Sequence, residues 1–275
     1  MSAIVLAAAA ALVWGSADYC GGRATRQARA LVVTVISQAY ALPLLAVCVL
    51  VLPGVATAAD LAWGAGAGIL GLLGLVALYQ SLSTGAMSVA APTAAVTGAV
   101  VPLAFGLLAG ERPGAAALWG AVCAVLAIGL VSLGPRQGRA STQAVGLALI
   151  AGLLFGVFFI LLDRTDPVSG MWPLVGARVA SVGLGLLFAL RLRTSLRLTG
   201  TTGWWTLAAG IGDISANAFF LLATREGLLS VVAPIAALYP VSTVLWAMSI
   251  DREKVRPVQV AGLGLAATAL VLTAV

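Results

Sequence analysis

The chain contains no histidine, and charged residues make up only 9% of its 275 positions. Soluble domains average roughly 25% charged residues, so the polar side chains here are too few to cover a water-soluble fold. Without histidine, metal sites and acid–base pairs built on imidazole are excluded. The three cysteines, Cys20, Cys48 and Cys123, lie in apolar stretches with no spacing that supports a disulfide, and they are interpreted as small hydrophobic residues in helices.

Apolar runs of about 20 residues dominate what is present, and hydrophobic residues make up 61% of the chain. In lipid, backbone hydrogen bonds must close within a segment, so each run is predicted to be a membrane-spanning helix. The sequence predicts an all-α polytopic membrane protein with ten transmembrane helices. They are expected at about 2–20, 31–52, 61–82, 87–108, 114–134, 144–162, 171–191, 203–224, 228–250 and 256–274.

The sequence also repeats itself at a fixed offset of 142 positions. Ser88–Pro92 returns as Ser230–Pro234, and Glu111 falls on Glu253 without a gap. The chain is therefore predicted to be a first five-helix repeat (1–134), a connector (135–143) and a second five-helix repeat (144–275). Because five is odd, the second repeat enters the membrane from the opposite side, which makes the repeats inverted.

The basic residues lie mainly in the connections. The charge excess of 15 Lys and Arg over 9 Asp and Glu suits anionic lipid headgroups, and no nucleic-acid partner is expected. Eleven basic residues fall in the connections on one side of the predicted bundle, against three on the other. The positive-inside rule then predicts that both termini lie outside the cell.

Several short motifs resemble the drug/metabolite transporter superfamily, specifically its EamA-like transporter family. They are Trp14-Gly15-Ser16, the Gly-x-x-Ser-Val-x-Ala-Pro pattern that starts at Gly85 and again at Gly227, and Gly110-Glu111-Arg112. The resemblance implies a ten-helix permease that moves small organic solutes, often amino acids or other metabolites, outward. It also implies a cytoplasmic N-terminus, which is opposite to the charge count.

Ionisable side chains within apolar helices are costly and usually face a cavity or a partner, which makes them candidate site residues. Asp213 and Asn217 are four residues apart on one helix face, where they could line a substrate cavity or form a structural interhelical hydrogen bond. Arg178, on the preceding predicted helix, could pair with Asp213 or attract a substrate carboxylate through its bidentate guanidinium.

Asp18 lies four residues after Trp14 and on the same helix face, so both are candidates for substrate binding or coupling. Alternatively, Asp18 is solvated at the membrane interface or paired with Arg23. Gln38, Tyr79 and Tyr239 are weaker candidates, since single interhelical hydrogen bonds in membranes are more often structural.

The function predicted from these features is a secondary active transporter, either a monomer or a homodimer, in the bacterial cytoplasmic membrane. It would export small organic metabolites, such as amino-acid-like or related solutes, by alternating access. Protons are a candidate coupling ion through Asp18 or Asp213. No cofactor or metal is expected: a Walker phosphate loop is absent, and Gly66-x-Gly68-x-x-Gly71 lacks the preceding strand of a dinucleotide site. The alternatives are a receptor or assembly subunit without transport, and a membrane-embedded lipid-modifying enzyme.

Overall fold

A computed structural model describes residues 3–84, 87–131, 133, 142–198, 200–250 and 256–274, and at positions 79, 80, 82–84, 87–92, 247 and 274 only the backbone. Within these ranges the regular structure is helical. Apart from one 3₁₀ turn at Pro167–Ser169, the helices are α1 (Ala3–Thr25), α2 (Ala30–Tyr40), α3 (Leu42–Val51), α4 (Ala58–Thr84), α5 (Met87–Leu108), α6 (Ala115–Val131), α7 (Thr142–Asp163), α8 (Trp172–Arg191), α9 (Thr201–Glu226), α10 (Leu229–Ala236), α11 (Tyr239–Ile250) and α12 (Pro257–Ala274).

Seven helical segments of the described chain are long and apolar enough to cross a membrane. Three shorter apolar helices accompany them, at Thr93–Leu108, Ala115–Val131 and Pro257–Thr273. The prediction of a polytopic all-α membrane protein is confirmed. The seven long segments are Ala3–Thr25, Ala30–Val51, Ala58–Leu78, Thr142–Asp163, Trp172–Arg191, Thr201–Glu226 and Leu229–Ile250.

Two predicted spans, 31–52 and 228–250, each correspond to one apolar segment, Ala30–Val51 and Leu229–Ile250, but each segment contains a short break in its helical hydrogen bonding that was not predicted. The segment predicted at 31–52 breaks at Ala41 into α2 and α3, because Pro43 follows and has no amide hydrogen to continue the backbone ladder. The segment predicted at 228–250 breaks between Ala236 and Tyr239, just before Pro240. Pro240 was expected deep within a helix, but it occupies the first turn of α11, where proline is tolerated.

The glycine-rich helix α4 packs closely against α8. A methyl group added to Gly64 would overlap the backbone carbonyl of Pro173, and one added to Gly68 would overlap that of Ala177. The backbones of α4 and α8 are therefore in direct contact along two successive turns. This close approach fixes the position of Arg178, the residue that follows Ala177.

Large apolar side chains cover the outer surface of the bundle. Leu50 is 82% exposed, Leu108 89% and Trp204 73%. In water this surface would be an aggregation hazard, but it is what a lipid environment requires. The polar side chains described next lie on the inside.

Candidate functional site

A cavity with about 920 Å³ of empty space, its opening included, lies at the centre of the bundle. Helices from both halves of the chain form its wall. Seven of the eight residues singled out in the sequence line it, and the side chain of the eighth, Tyr79, lies outside the described part. The seven are Trp14, Asp18, Gln38, Arg178, Asp213, Asn217 and Tyr239. Their roles in binding or coupling remain predictions.

The central feature of the wall is an ion pair between Arg178 on α8 and Asp213 on α9. Nη2 of Arg178 lies 2.6 Å from Oδ2 of Asp213, and the side chains are 8% and 29% exposed. Of the two alternatives for Arg178, the structure therefore contains the pair with Asp213. Each charge compensates the other, which offsets the cost of holding both inside the bundle.

Three more side chains donate hydrogen bonds to the Asp213 carboxylate. Nε1 of Trp14 and Nδ2 of Asn217 each lie 3.2 Å from Oδ1, and Nε2 of Gln38 lies 3.3 Å from Oδ2. Asn217 also donates to the backbone carbonyl of Asp213 at 2.6 Å. With Arg178, the carboxylate thus accepts from four side chains on four helices, and these hydrogen bonds hold it in place.

Gln38 on α2 joins the two charges. Its Oε1 accepts a hydrogen bond from Nη1 of Arg178 and another, at 3.1 Å, from the hydroxyl of Ser181. Its Nε2 donates to Asp213, so the amide satisfies one donor and one acceptor of the pair at once. Ser181 was missed in the sequence, although it lies three residues after Arg178 and hence on the same face of α8.

Asp18 differs from Asp213 because its carboxylate has no compensating partner among the described residues. Its side chain is exposed, and the surface it is exposed to is the cavity. Pairing with Arg23, one of the sequence-based alternatives, is not what the structure contains. The Arg23 guanidinium donates to the hydroxyl of Tyr19 at 3.0 Å and lies over the Trp205 ring, 5.2 Å from its centroid.

Aromatic rings form part of the wall beside Asp18. The ring centroids of Trp14 and Phe159 are 5.5 Å apart. The fully buried ring of Phe220 packs behind Phe159, with 4.6 Å between the two centroids. Phe155 and Phe158 extend this surface along α7. The three α7 phenylalanines were missed as site residues; their spacing of three and four residues, which places them on one helix face, was the available signal.

Apolar spanning helices around a central cavity with a buried ion pair define a polytopic membrane protein with an internal polar site. Residues 142–275 match the sequence model of the EamA-like transporter family. The match confirms the resemblance seen in the motifs and assigns the second half of the chain to that family, within the drug/metabolite transporter superfamily. The match points to a membrane transporter and away from an enzyme.

Two further comparisons concern sequence and fold separately. No curated protein matches the sequence. A solved structure titled "Crystal structure of protein" is similar in fold, with a TM-score of 0.81 and 17% sequence identity over 98% of this chain and 95% of the other. At that identity the likeness is one of fold alone.

Proposed function

We propose that the protein is a secondary active transporter that exports small organic metabolites by alternating access. The observation that carries this proposal is the composition of the cavity wall. Trp14 and Gln38 come from the first half of the chain, Arg178 and Asp213 from the second, and the four meet in one hydrogen-bonded network. A polar site at the seam between two halves is where alternating access requires the substrate to bind.

The helix contacts support ten spans arranged as two inverted repeats, 1–134 and 144–275. If the repeats are related by a two-fold axis, every contact between halves has a reciprocal partner. The packing of α1 against α9 and α11 corresponds to that of α7 against α4 and α5. Helices α6 and α12 are equivalent in the two repeats, and so are α2 and α8. The two-fold axis therefore maps the α6–α12 contact onto itself, and likewise the α2–α8 contact. The family match starts at residue 142, close to the proposed start of the second repeat.

Contacts at the two ends of the bundle support the alternating passage of the chain through the membrane. At one end, the Val55 N–H donates to the Val168 carbonyl at 2.9 Å. At the other end, the Thr202 hydroxyl donates to Gln27 at 2.6 Å. The ten-helix topology places the connections of Val55 and Val168 on one side of the membrane. It places the connections of Gln27 and Thr202 together on the other side.

The proposed environment is the bacterial cytoplasmic membrane, with amino-acid-like compounds as the starting class of solutes. Proton coupling through Asp18 or Asp213 is part of the proposal, since carboxylates within transporter bundles are the usual proton carriers. Replacing either by asparagine removes the titrating group while keeping its shape. If both variants export with the rate and pH profile of the parent protein, neither carboxylate couples transport to protons.

The test of transport is a metabolite export screen. Cells that overexpress the protein are compared with cells carrying the empty vector, and the medium is profiled for accumulated solutes. Asp213→Ala should abolish any difference, because it leaves Arg178 unpaired in the cavity wall. Glu226→Gln, an exposed carboxylate at the end of α9, is the matched control and should export normally. Equal media from the two strains would contradict the proposal.

A receptor or assembly subunit without transport is the alternative of a different kind. It needs no internal solute pathway and predicts a sealed interior. The central cavity and the charged pair in its wall support the transporter instead.

A further inference from the structure

We propose that the cavity selects organic cations, namely amines with an aromatic or aliphatic body and no free carboxylate, with Asp18 as their counter-ion. This inference rests on the proposed transport function and replaces its starting class of amino-acid-like solutes with amines that lack a carboxylate. It follows from three observations: the charged groups in the wall, the pairing of Arg178 with Asp213, and the aromatic surface beside Asp18, which has no partner among the described residues.

The wall of the cavity holds more acidic than basic groups. Its described side chains include two carboxyl groups, on Asp18 and Asp213, and one guanidinium, on Arg178. When both carboxyl groups are ionised, the wall has a net charge of −1. The cavity without a bound ion is therefore electrostatically unbalanced, and a monocation entering it would restore neutrality.

The positive charge in the wall is already committed. Arg178 donates to Asp213 and to Gln38, and its side chain is 8% exposed. Its Nε makes no hydrogen bond but is buried away from the cavity surface, so it offers no donor to a solute. A substrate carboxylate could bind Arg178 only by displacing Asp213, which would leave a second carboxylate without its partner.

Asp18 is the group left to bind a ligand. It is exposed to the cavity and has no hydrogen bond or ion pair with any described residue. A carboxylate in that position can accept two or three hydrogen bonds from an ammonium group, and such charge-assisted bonds are about twice as strong as neutral ones. The carboxyl group of an amino acid would be repelled by the same side chain.

The surface beside Asp18 suits the body of an amine. Trp14 is one helical turn away, and Phe155, Phe158 and Phe159 continue the aromatic wall across the cavity. The face of an aromatic ring carries negative potential and attracts a cation, most strongly where water is excluded. At the offset of 141 that relates Trp14-Gly15 to Phe155-Gly156, Asp18 corresponds to Phe159, so the carboxylate belongs to one half alone.

A series of compounds that share an aromatic skeleton and differ in charge tests the inference. Phenethylamine is a cation, phenylalanine a zwitterion and 3-phenylpropionate an anion, and dibenzylamine is a larger cation. Each is titrated at pH 7 into the purified full-length protein in detergent, and the heat of binding is measured. We expect both amines to bind at least ten-fold more tightly than phenylalanine and 3-phenylpropionate.

Variants at Asp18 connect that preference to the carboxylate. Asp18→Asn should weaken phenethylamine binding about ten- to a hundred-fold, the range expected for loss of a charged hydrogen-bond partner. Asp18→Glu keeps the charge and should retain the preference for amines, which also shows that a change at this position is tolerated. Glu226→Gln, which removes a carboxylate outside the cavity, should bind like the parent protein.

Three results would overturn the inference: phenylalanine or 3-phenylpropionate binding as tightly as the amines, equal amine binding by Asp18→Asn, or no binding of either amine. The export screen separates this failure from that of the proposed function. Solutes that accumulate in the medium but are zwitterions or anions would leave transport standing and remove cation selectivity. A screen without any exported solute would remove both.

Discussion

Arg178 donates from Nη2 to Oδ2 of Asp213 at 2.6 Å, and the guanidinium side is the more deeply buried of the two. Loss of either partner leaves an uncompensated charge, which costs about 3 kcal/mol or more when the survivor is buried. We therefore expect Arg178→Gln and Asp213→Asn each to lower the free energy of unfolding in mixed micelles by about that amount, the Asp213 variant more because it leaves Arg178 behind.

The double variant Arg178→Gln with Asp213→Asn provides the decisive comparison. With both charges gone, the free energy of unfolding should fall by less than the sum of the two single-variant losses. The difference measures the coupling between the residues. Arg191→Gln, an exposed arginine at the end of the same helix, is the control and should unfold like the parent protein. Strictly additive losses would mean that the observed pair contributes no interaction energy.

Glu111 connects the two halves of the chain at the start of α10. Its carboxylate accepts hydrogen bonds from the N–H groups of Leu229 at 3.1 Å and Ser230 at 2.8 Å, satisfying two donors that a helix start leaves open. Both residues are almost fully buried, so water cannot replace the carboxylate. We expect Glu111→Ala to reduce the free energy of unfolding by about 1–3 kcal/mol.

Glu111→Gln should cost less than Glu111→Ala, because its amide oxygen can still accept one of the two hydrogen bonds, although the second acceptor and the charge that favours a helix N-terminus are lost. Arg112→Gln changes the exposed neighbouring residue and serves as the control. The free energies of unfolding of Glu111→Gln and Arg112→Gln are measured in mixed micelles in parallel with that of Glu111→Ala. A loss in Arg112→Gln as large as in Glu111→Ala would assign the effect to the connection as a whole and not to the cap.

Gly64 is one of the places where the backbones of α4 and α8 are in direct contact. Because a methyl group there would overlap the carbonyl of Pro173, which is backbone and cannot rotate away, Gly64→Ala must push the helices apart. We expect a loss of about 1–3 kcal/mol in the free energy of unfolding, typical of overpacking. Gly183→Ala, on α8 with open space around it, should be neutral or stabilising by up to about 1 kcal/mol. Similar behaviour of the two variants would contradict direct backbone contact.

The sequence was sufficient to locate helices and candidate charges, for reasons that are physical. A bilayer demands long apolar helices, so hydropathy alone indicates where they lie. A charge inside such a helix is costly, so Asp18, Arg178 and Asp213 stood out. The interruption at Ala41 was missed, although Pro43 two residues later was a direct signal for it.

Other features of the site could not be predicted because helical spacing gives a face but not its neighbour. Gln38 and Arg178 are 140 positions apart, and nothing local indicates that the amide of one meets the guanidinium of the other. The phenylalanines of α7 presented the same difficulty: an aromatic stripe faces lipid as readily as a cavity. Only the packing of α7 against α4 and α5 turns Phe155 and Phe158 towards the interior.

Membrane orientation provides the last prediction. Eleven basic residues in the connections on one side against three on the other favour termini outside the cell, whereas the family resemblance favours termini inside. We expect a C-terminal alkaline phosphatase fusion to be active and a C-terminal green fluorescent protein fusion to be dark. Fusions after residue 138, in the connector that carries Arg136 and Arg139, should give the opposite pair of results. The connector fusion is the internal control, since five helices separate it from the C-terminus in the ten-helix topology. Fluorescence at the C-terminus with phosphatase activity at 138 would reverse the predicted orientation but keep an odd number of membrane crossings between the two sites. The same signal at both sites would contradict the five-helix second repeat.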